Sequence, residues 1–222
     1  MQSKFLRRTL GALFVAAGLA TTIAATRVAA SAARTTASAS TTNGDAWLDR
    51  LNGSHRELFD APMPAGGIPL VHLMNYYDTY NKAYDTKDAD INGILTFYGG
   101  TVFYGVNDAM WAKYRLGEFV EAMDAKTNKP AVSNPWRVAP VALGLTLPQA
   151  SIESMQKRGA TFIICNNALT IFSGMLAQAR GLSADSVYAD MKANILPGVT
   201  LVPGMVVAIE KAQGRGIAYH RQ

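Results

Sequence analysis

The spacing of apolar and polar positions changes several times along the chain, and each change marks an element. Residues 68–74 form a short apolar run between turn-forming residues, the pattern of a buried strand. Asn75 can cap the helix predicted next, in which Tyr76, Tyr80 and Tyr84 recur at every fourth position and share one face. A second strand is expected within 91–106, where Ile94, Leu95, Phe97 and Tyr98 precede a Gly99-Gly100 turn. Asn107 and Asp108 supply a cap and first-turn charge for a helix reaching about residue 125, with Leu116, Phe119, Val120 and Met123 on its apolar face.

Residues 130–140, which include Asn134, Pro135 and Trp136, read as a loop making a surface excursion at a subunit contact or over a site. Regular patterning then resumes. A helix over 148–158 ends at Gly159, a continuous apolar strand covers 161–165, and a helix over 168–180 stops at Gly181. A short helix over 183–193, a strand at 199–202, a helix over 203–212 and a small terminal strand at 217–219 complete the series. Strands alternating with helices predict an α/β fold: a single three-layer domain with a mainly parallel sheet flanked by helices.

The first 32 residues differ from the rest. They combine a basic start, an apolar stretch from Leu10 to Ala25 diluted only by small residues, and an Ala30-Ser31-Ala32 exit, the three-part build of a cleaved signal peptide. Arg7-Arg8 makes it similar to a twin-arginine export signal. The membrane is then met only transiently, and the mature chain is periplasmic or secreted. Residues 33–67 are expected to be a disordered linker and a polar lead-in, with the folded core starting near Ile68 because residues 62–67 are rich in Pro and Gly.

Composition narrows the function classes. The chain has 222 residues, 49% hydrophobic and 17% charged, which excludes wholesale disorder. Its net charge of +5 owes four positive charges to the leader; the remainder carries 17 basic against 16 acidic residues, so no nucleic-acid footprint is present. No dinucleotide or phosphate-binding glycine loop, no nucleophile elbow and no zinc-protease helix motif occurs. His55, His72 and His220 are far apart in sequence and read as surface or core residues, so neither metal nor cofactor is expected.

Cys165, the only cysteine, is the chemical candidate. It falls at the carboxyl end of an apolar strand, before a helix that Asn166 or Asn167 can cap, where ligands bind in open α/β sheets. Backbone N–H groups and the helix dipole favour a thiolate there. A free cysteine used as a small buried apolar residue is the competing reading.

The blocks 155–169, 195–199 and 213–219 carry a resemblance. Gly159-Ala160-Thr161-Phe162, Cys165, Leu196-Pro197-Gly198-Val199 and Gln213-Gly214-Arg215-Gly216-Ile217-Ala218-Tyr219 resemble the DsrE/DsrF-like family, and Gly99-Gly100 resembles that family's glycine turn. The similarity spans about 68–219 and is most specific in the C-terminal third. It implies a small α/β fold, homotrimers or related homo-oligomers, and a cysteine that carries sulfur as a persulfide, at the position of Cys165. Its partners would be a sulfur donor or acceptor, either a protein or a small thiol. Gly99, Gly100, Asn166 and Asn167 are the expected ligand-binding neighbours. The alternative is a non-catalytic small-ligand-binding or assembly protein of the same fold with a structural cysteine. An export leader, the 107–118 segment and the 130–140 loop depart from the family's mostly cytoplasmic carriers.

Overall fold

The structure, a computed structural model, describes residues 45–222. The expected leader and the linker up to Asn43 lie outside the described residues. Five strands form one parallel sheet, β1 (His55–Asp60), β2 (Ile91–Phe97), β7 (Thr161–Cys165), β8 (Val199–Val202) and β9 (Ala218–Arg221), in the order β8-β7-β2-β1-β9. Between β2 and β7 lie two small antiparallel hairpins, β3 (Met123–Asp124) with β4 (Lys129–Pro130) and β5 (Val141–Ala142) with β6 (Leu145–Thr146).

The core does not start at Ile68. Strand β1 lies in the expected lead-in and sits inside the sheet, with Leu58 opposite Ile94 on one side and Tyr219 on the other. Only Leu58 and Phe59 are strongly apolar in it, one for each face, because two flanking strands satisfy its backbone and little more is needed. Residues 68–74 are likewise not a strand. They begin helix α1 (Ile68–Ala83), where Pro69 occupies the first turn and Leu70, Leu73 and Tyr77 bury one face. Asn75 is therefore mid-helix. A seven-residue apolar run does not separate strand from helix by itself.

After β2, residues Gly99–Gly105 wind into a 3₁₀ helix with Val102, Phe103 and Tyr104 buried. The expected long helix is broken into α2 (Asp108–Tyr114) and α3 (Leu116–Phe119) by Arg115, whose φ of 52° is left-handed. The break brings Gly117 against Ala131, where a Cβ would stand 2.3 Å from the Ala131 carbonyl oxygen. The 130–140 segment runs over the surface, with Val132 and Val138 exposed, and is clasped to the core by the buried side chains of Asn134 and Trp136. Asn134 Nδ2 donates to the Tyr104 and Val106 carbonyls at 2.7 and 2.9 Å, and the Trp136 ring lies 4.5 Å from Tyr104. Helix α4 (Ile152–Lys157) then leads into β7, followed by α5 (Asn166–Arg180), α6 (Ala184–Ala193), β8, α7 (Met205–Gly214) and β9.

The helices divide between the faces for a topological reason. From β1 to β8 each connection steps the same way across the sheet, and right-handed crossovers then place α1 to α6 on one face. Only the return from β8 to β9 runs the other way, which places α7 opposite. Alternation along the strands supplies both layers. Phe59, Leu95, Phe162 and Ile164 face α1 to α6, while Leu58, Ile94, Ile163 and Cys165 face α7. Trp47, Leu48 and Leu51 complete the α7 layer, so the polar lead belongs to the core. Among the described residues no helix is long and apolar enough to cross a membrane.

Candidate functional site

Neighbouring strands β7 and β8 send their carboxyl ends to helices on opposite faces, α5 and α7 respectively. Such a divergence is where open α/β sheets form their ligand crevice. Cys165 ends β7 at this point and pairs in register with Val202, the end of β8. The cysteine is itself the N-cap of α5, in place of the expected Asn166 or Asn167, and its Sγ accepts the Ala168 N–H at 3.3 Å. The Met205 N–H, from the first turn of α7, reaches the same Sγ at 3.3 Å. Two helix N-termini therefore converge on one sulfur, and both present donors and positive dipole ends that favour negative charge there. The thiol is 5% exposed, enclosed by Trp47, Ile163, Val202 and Met205.

The same face continues with polar groups at the strand ends. Asp60, buried at the end of β1, accepts from Tyr219 Oη at 2.6 Å and from Thr96 Oγ1 at 3.3 Å. Tyr98 follows β2 and packs on the Cys165 cluster. Burial, then the hydrogen bond to Asp60 and its charge, hold the Tyr98 phenol well above its ordinary range. Tyr219 is raised as well, chiefly by Asp60. Both phenols are thus protonated donors at neutral pH, and neither can act as a base.

The expected ligand-binding residues divide. Gly99 and Gly100 are occupied by the chain's own turn after β1: Gly100 N–H donates to the Pro62 carbonyl at 2.8 Å, and a Cβ on Gly99, whose φ is 57°, would lie 2.9 Å from that oxygen. Asn167 donates its N–H to the Pro203 carbonyl at 3.3 Å, tying α5 to the approach of α7. Asn166 lines a cleft of about 500 Å³ along β8 with Trp47, Arg50, Lys192, Thr200 and Val202.

Sequence reasoning missed Trp47, Arg50, Asp60, Lys192 and Thr200. The Leu58-Phe59-Asp60 triplet was the available signal for a strand end, but two apolar residues are weak periodicity. His72 and His220 also meet, with ring centroids 5.4 Å apart, although 148 positions separate them. Among the described residues no group of three or more His, Cys, Asp or Glu side chains is placed to hold a metal ion.

No protein-family model and no curated protein matches the chain. Among solved structures it is similar to a protein of unknown function from Methanobacterium thermoautotrophicum, at 16% identity with a TM-score of 0.37, over 76% of this chain and 99% of that one.

Proposed function

We propose that the chain is an exported, self-associating sulfur carrier of the DsrE/DsrF-like kind, holding a sulfane sulfur as a persulfide on Cys165. The observation that carries the reading is the pair of backbone N–H groups, from Ala168 and Met205, that meet Cys165 Sγ at the ends of two helices. Sulfur transfer needs a nucleophilic sulfur, and the two main-chain donors are placed to stabilise negative charge as it develops on Sγ during the exchange. In loading, Sγ forms a bond to the donor's sulfane sulfur as the donor's own S–S bond breaks, and the electron pair leaves with the donor. In unloading, an acceptor thiolate attacks the outer sulfur and Cys165 departs as thiolate. With no second cysteine in the chain, unloading needs another molecule or a neighbouring subunit, which makes a carrier a better fit than a self-resolving redox enzyme.

Export rests on the 1–32 pattern, and N-terminal sequencing of periplasmic or secreted material tests it: a chain starting near Ala33 is expected, and an intact cytosolic Met1 chain refutes it. Self-association to a trimer or related assembly rests on the family resemblance and on the exposed Tyr84 end of the α1 stripe, whose Tyr76 and Tyr80 pack against the chain's own core; a single-chain mass in light scattering refutes it. Mass spectrometry after treatment with a sulfane-sulfur donor tests the carrier itself. Wild type should gain about 32 Da, one sulfur, and Cys165→Ser should gain nothing. The competing reading, a binding protein with a structural cysteine, draws on the 5% exposure of the thiol. It predicts no mass gain and resistance to alkylation in the folded state.

A further inference from the structure

The cleft along β8 is lined by two cationic side chains and by no carboxylate. Arg50 and Lys192 pair with no carboxylate among the described residues, although Asp45 and Asp49 stand in the same N-terminal segment. Those two acids are taken by Lys211 and Arg215 of the α7 region. Arg50 instead donates to Thr200 Oγ1 at 3.3 Å. Asn166 Oδ1 accepts from Tyr188 Oη at 2.6 Å, which leaves the amide's Nδ2 as its remaining polar group. Trp47 lines the cleft at 1% exposure, and its indole Nε1 is buried without a hydrogen-bond partner among the described residues. Lys192 Nζ lies 5.8 Å from the Tyr188 ring centroid, so the two cations of the cleft have neutral neighbours and no carboxylate among the described residues to balance them.

We infer that this cleft docks the anionic sulfane-sulfur donor, a small divalent sulfur oxyanion of the thiosulfate class, held by Arg50, Lys192 and the Asn166 amide. The inference rests on the carrier reading of Cys165 and adds the class of molecule that loads it. Three features choose this chemistry. The cleft's charged lining is wholly cationic, the Asn166 amide adds a donor, and the cleft's walls touch the thiol's surroundings on two sides. Val202 pairs in register with Cys165, and Trp47 belongs both to the cleft wall and to the apolar cluster enclosing Sγ. Loading from thiosulfate balances without an outside oxidant. Sγ bonds to the sulfane sulfur, the S–S bond of thiosulfate breaks, its electron pair leaves on sulfite, and sulfite takes the thiol proton.

The test is calorimetric titration of the full chain with thiosulfate, and in parallel with sulfate, in a buffer free of other oxyanions. Thiosulfate should bind wild type and Cys165→Ala alike. It should bind at least tenfold more weakly to the Arg50→Gln/Lys192→Gln double variant, with sulfate weaker than thiosulfate throughout. Circular dichroism and the conservative Arg50→Lys variant, which should retain most of the binding, separate loss of charge from loss of fold. Undetectable thiosulfate binding to wild type, or equal binding by the double variant, overturns the inference; equal binding of sulfate overturns the sulfur-donor assignment and leaves a plain oxyanion site. A second arm treats the same proteins with an uncharged organic trisulfide in the presence of a thiol and reads the mass of Cys165. Loading from the trisulfide with no thiosulfate binding refutes the cleft and keeps the carrier. Charge-dependent thiosulfate binding with no loading from either donor refutes the carrier and keeps the cleft as an anion site.

Discussion

Replacing Trp47 with alanine should both destabilise the fold and unmask Cys165. The ring is 1% exposed and packs in one cluster with Leu58, Ile94, Ile163 and Met205, on the face that α7 alone does not cover. An indole buries roughly 150–250 Å², equivalent to about 4–6 kcal/mol at ~25 cal/mol/Å². Residual compactness of the unfolded chain lowers that figure, and truncations of buried tryptophan measure about 3–5 kcal/mol. At about 2–4 °C per kcal/mol for a unit of this size, Tm should fall by roughly 6–20 °C. Trp47→Phe separates the two contributions of the indole. It gives up some ring contact but also removes the Nε1, which has no partner among the described residues and is worth about 1–3 kcal/mol, so the net change should stay within about 1.5 kcal/mol. The assay is thermal denaturation followed by far-ultraviolet circular dichroism, together with the rate of Cys165 alkylation by an uncharged maleimide at a temperature where each variant is folded. Alkylation should be faster in Trp47→Ala and near wild type in Trp47→Phe. If Trp47→Ala melts within about 2 °C of wild type and alkylates at the wild-type rate, the 45–51 segment does not cover the thiol and the account of the α7 layer is wrong.

Gly117→Ala places a Cβ 2.3 Å from the Ala131 carbonyl oxygen and 2.4 Å from its nitrogen, so the 130–140 clasp must shift; a loss of at least about 3 kcal/mol in urea denaturation is expected, and a loss under 1 kcal/mol refutes the contact. Asn134→Ala strips the Tyr104 and Val106 carbonyls of their Nδ2 donor in a buried setting and should cost about 2–3 kcal/mol by the same measurement; an effect below 0.5 kcal/mol would mean that water replaces the amide. Arg158 binds Asp88 through Nε and Nη2 at 2.9 and 3.0 Å and Asp78 at 2.8 Å, over the Tyr77 ring, so Arg158→Gln should cost about 1–2 kcal/mol at neutral pH. The Arg158 hydrogen bonds hold the Asp88 carboxyl below its ordinary range, so this stabilisation is present above the unfolded carboxyl value and is lost as pH falls through the folded one. The gap between wild type and Arg158→Gln should therefore close in acid; a gap that stays constant from pH 7 to pH 2 refutes the linkage.

What the sequence determined by itself was local or periodic. The strands at β2, β7 and β8 and the helices α5, α6 and α7 are legible because their apolar spacing is sustained and their ends carry chemistry that acts within a few residues, such as Gly181, left-handed at the end of α5, and the Ser183 cap of α6. Cys165 at a strand end beside a helix start was legible for the same reason. The alternation of strand and helix specified a parallel three-layer α/β fold, and the topology agrees.

Tertiary structure decided the rest. Leu58 and Phe59 become an interior strand only because β2 and β9 supply hydrogen bonds from both sides, and β9 lies more than 150 residues further along the chain. Residues 68–74 become helical because Leu70, Leu73 and Tyr77 share one face when the sheet is there to receive it. Asn134 and Trp136 are buried because the break at Arg115 turns the chain back over the Tyr104 region. The surroundings of Cys165 were the least legible, since the second N–H on its sulfur comes from Met205 and the enclosing ring from Trp47. Periodicity reports how a segment meets a surface, whereas which surface it meets follows from the single reversal of strand order between β8 and β9, a property of the whole chain.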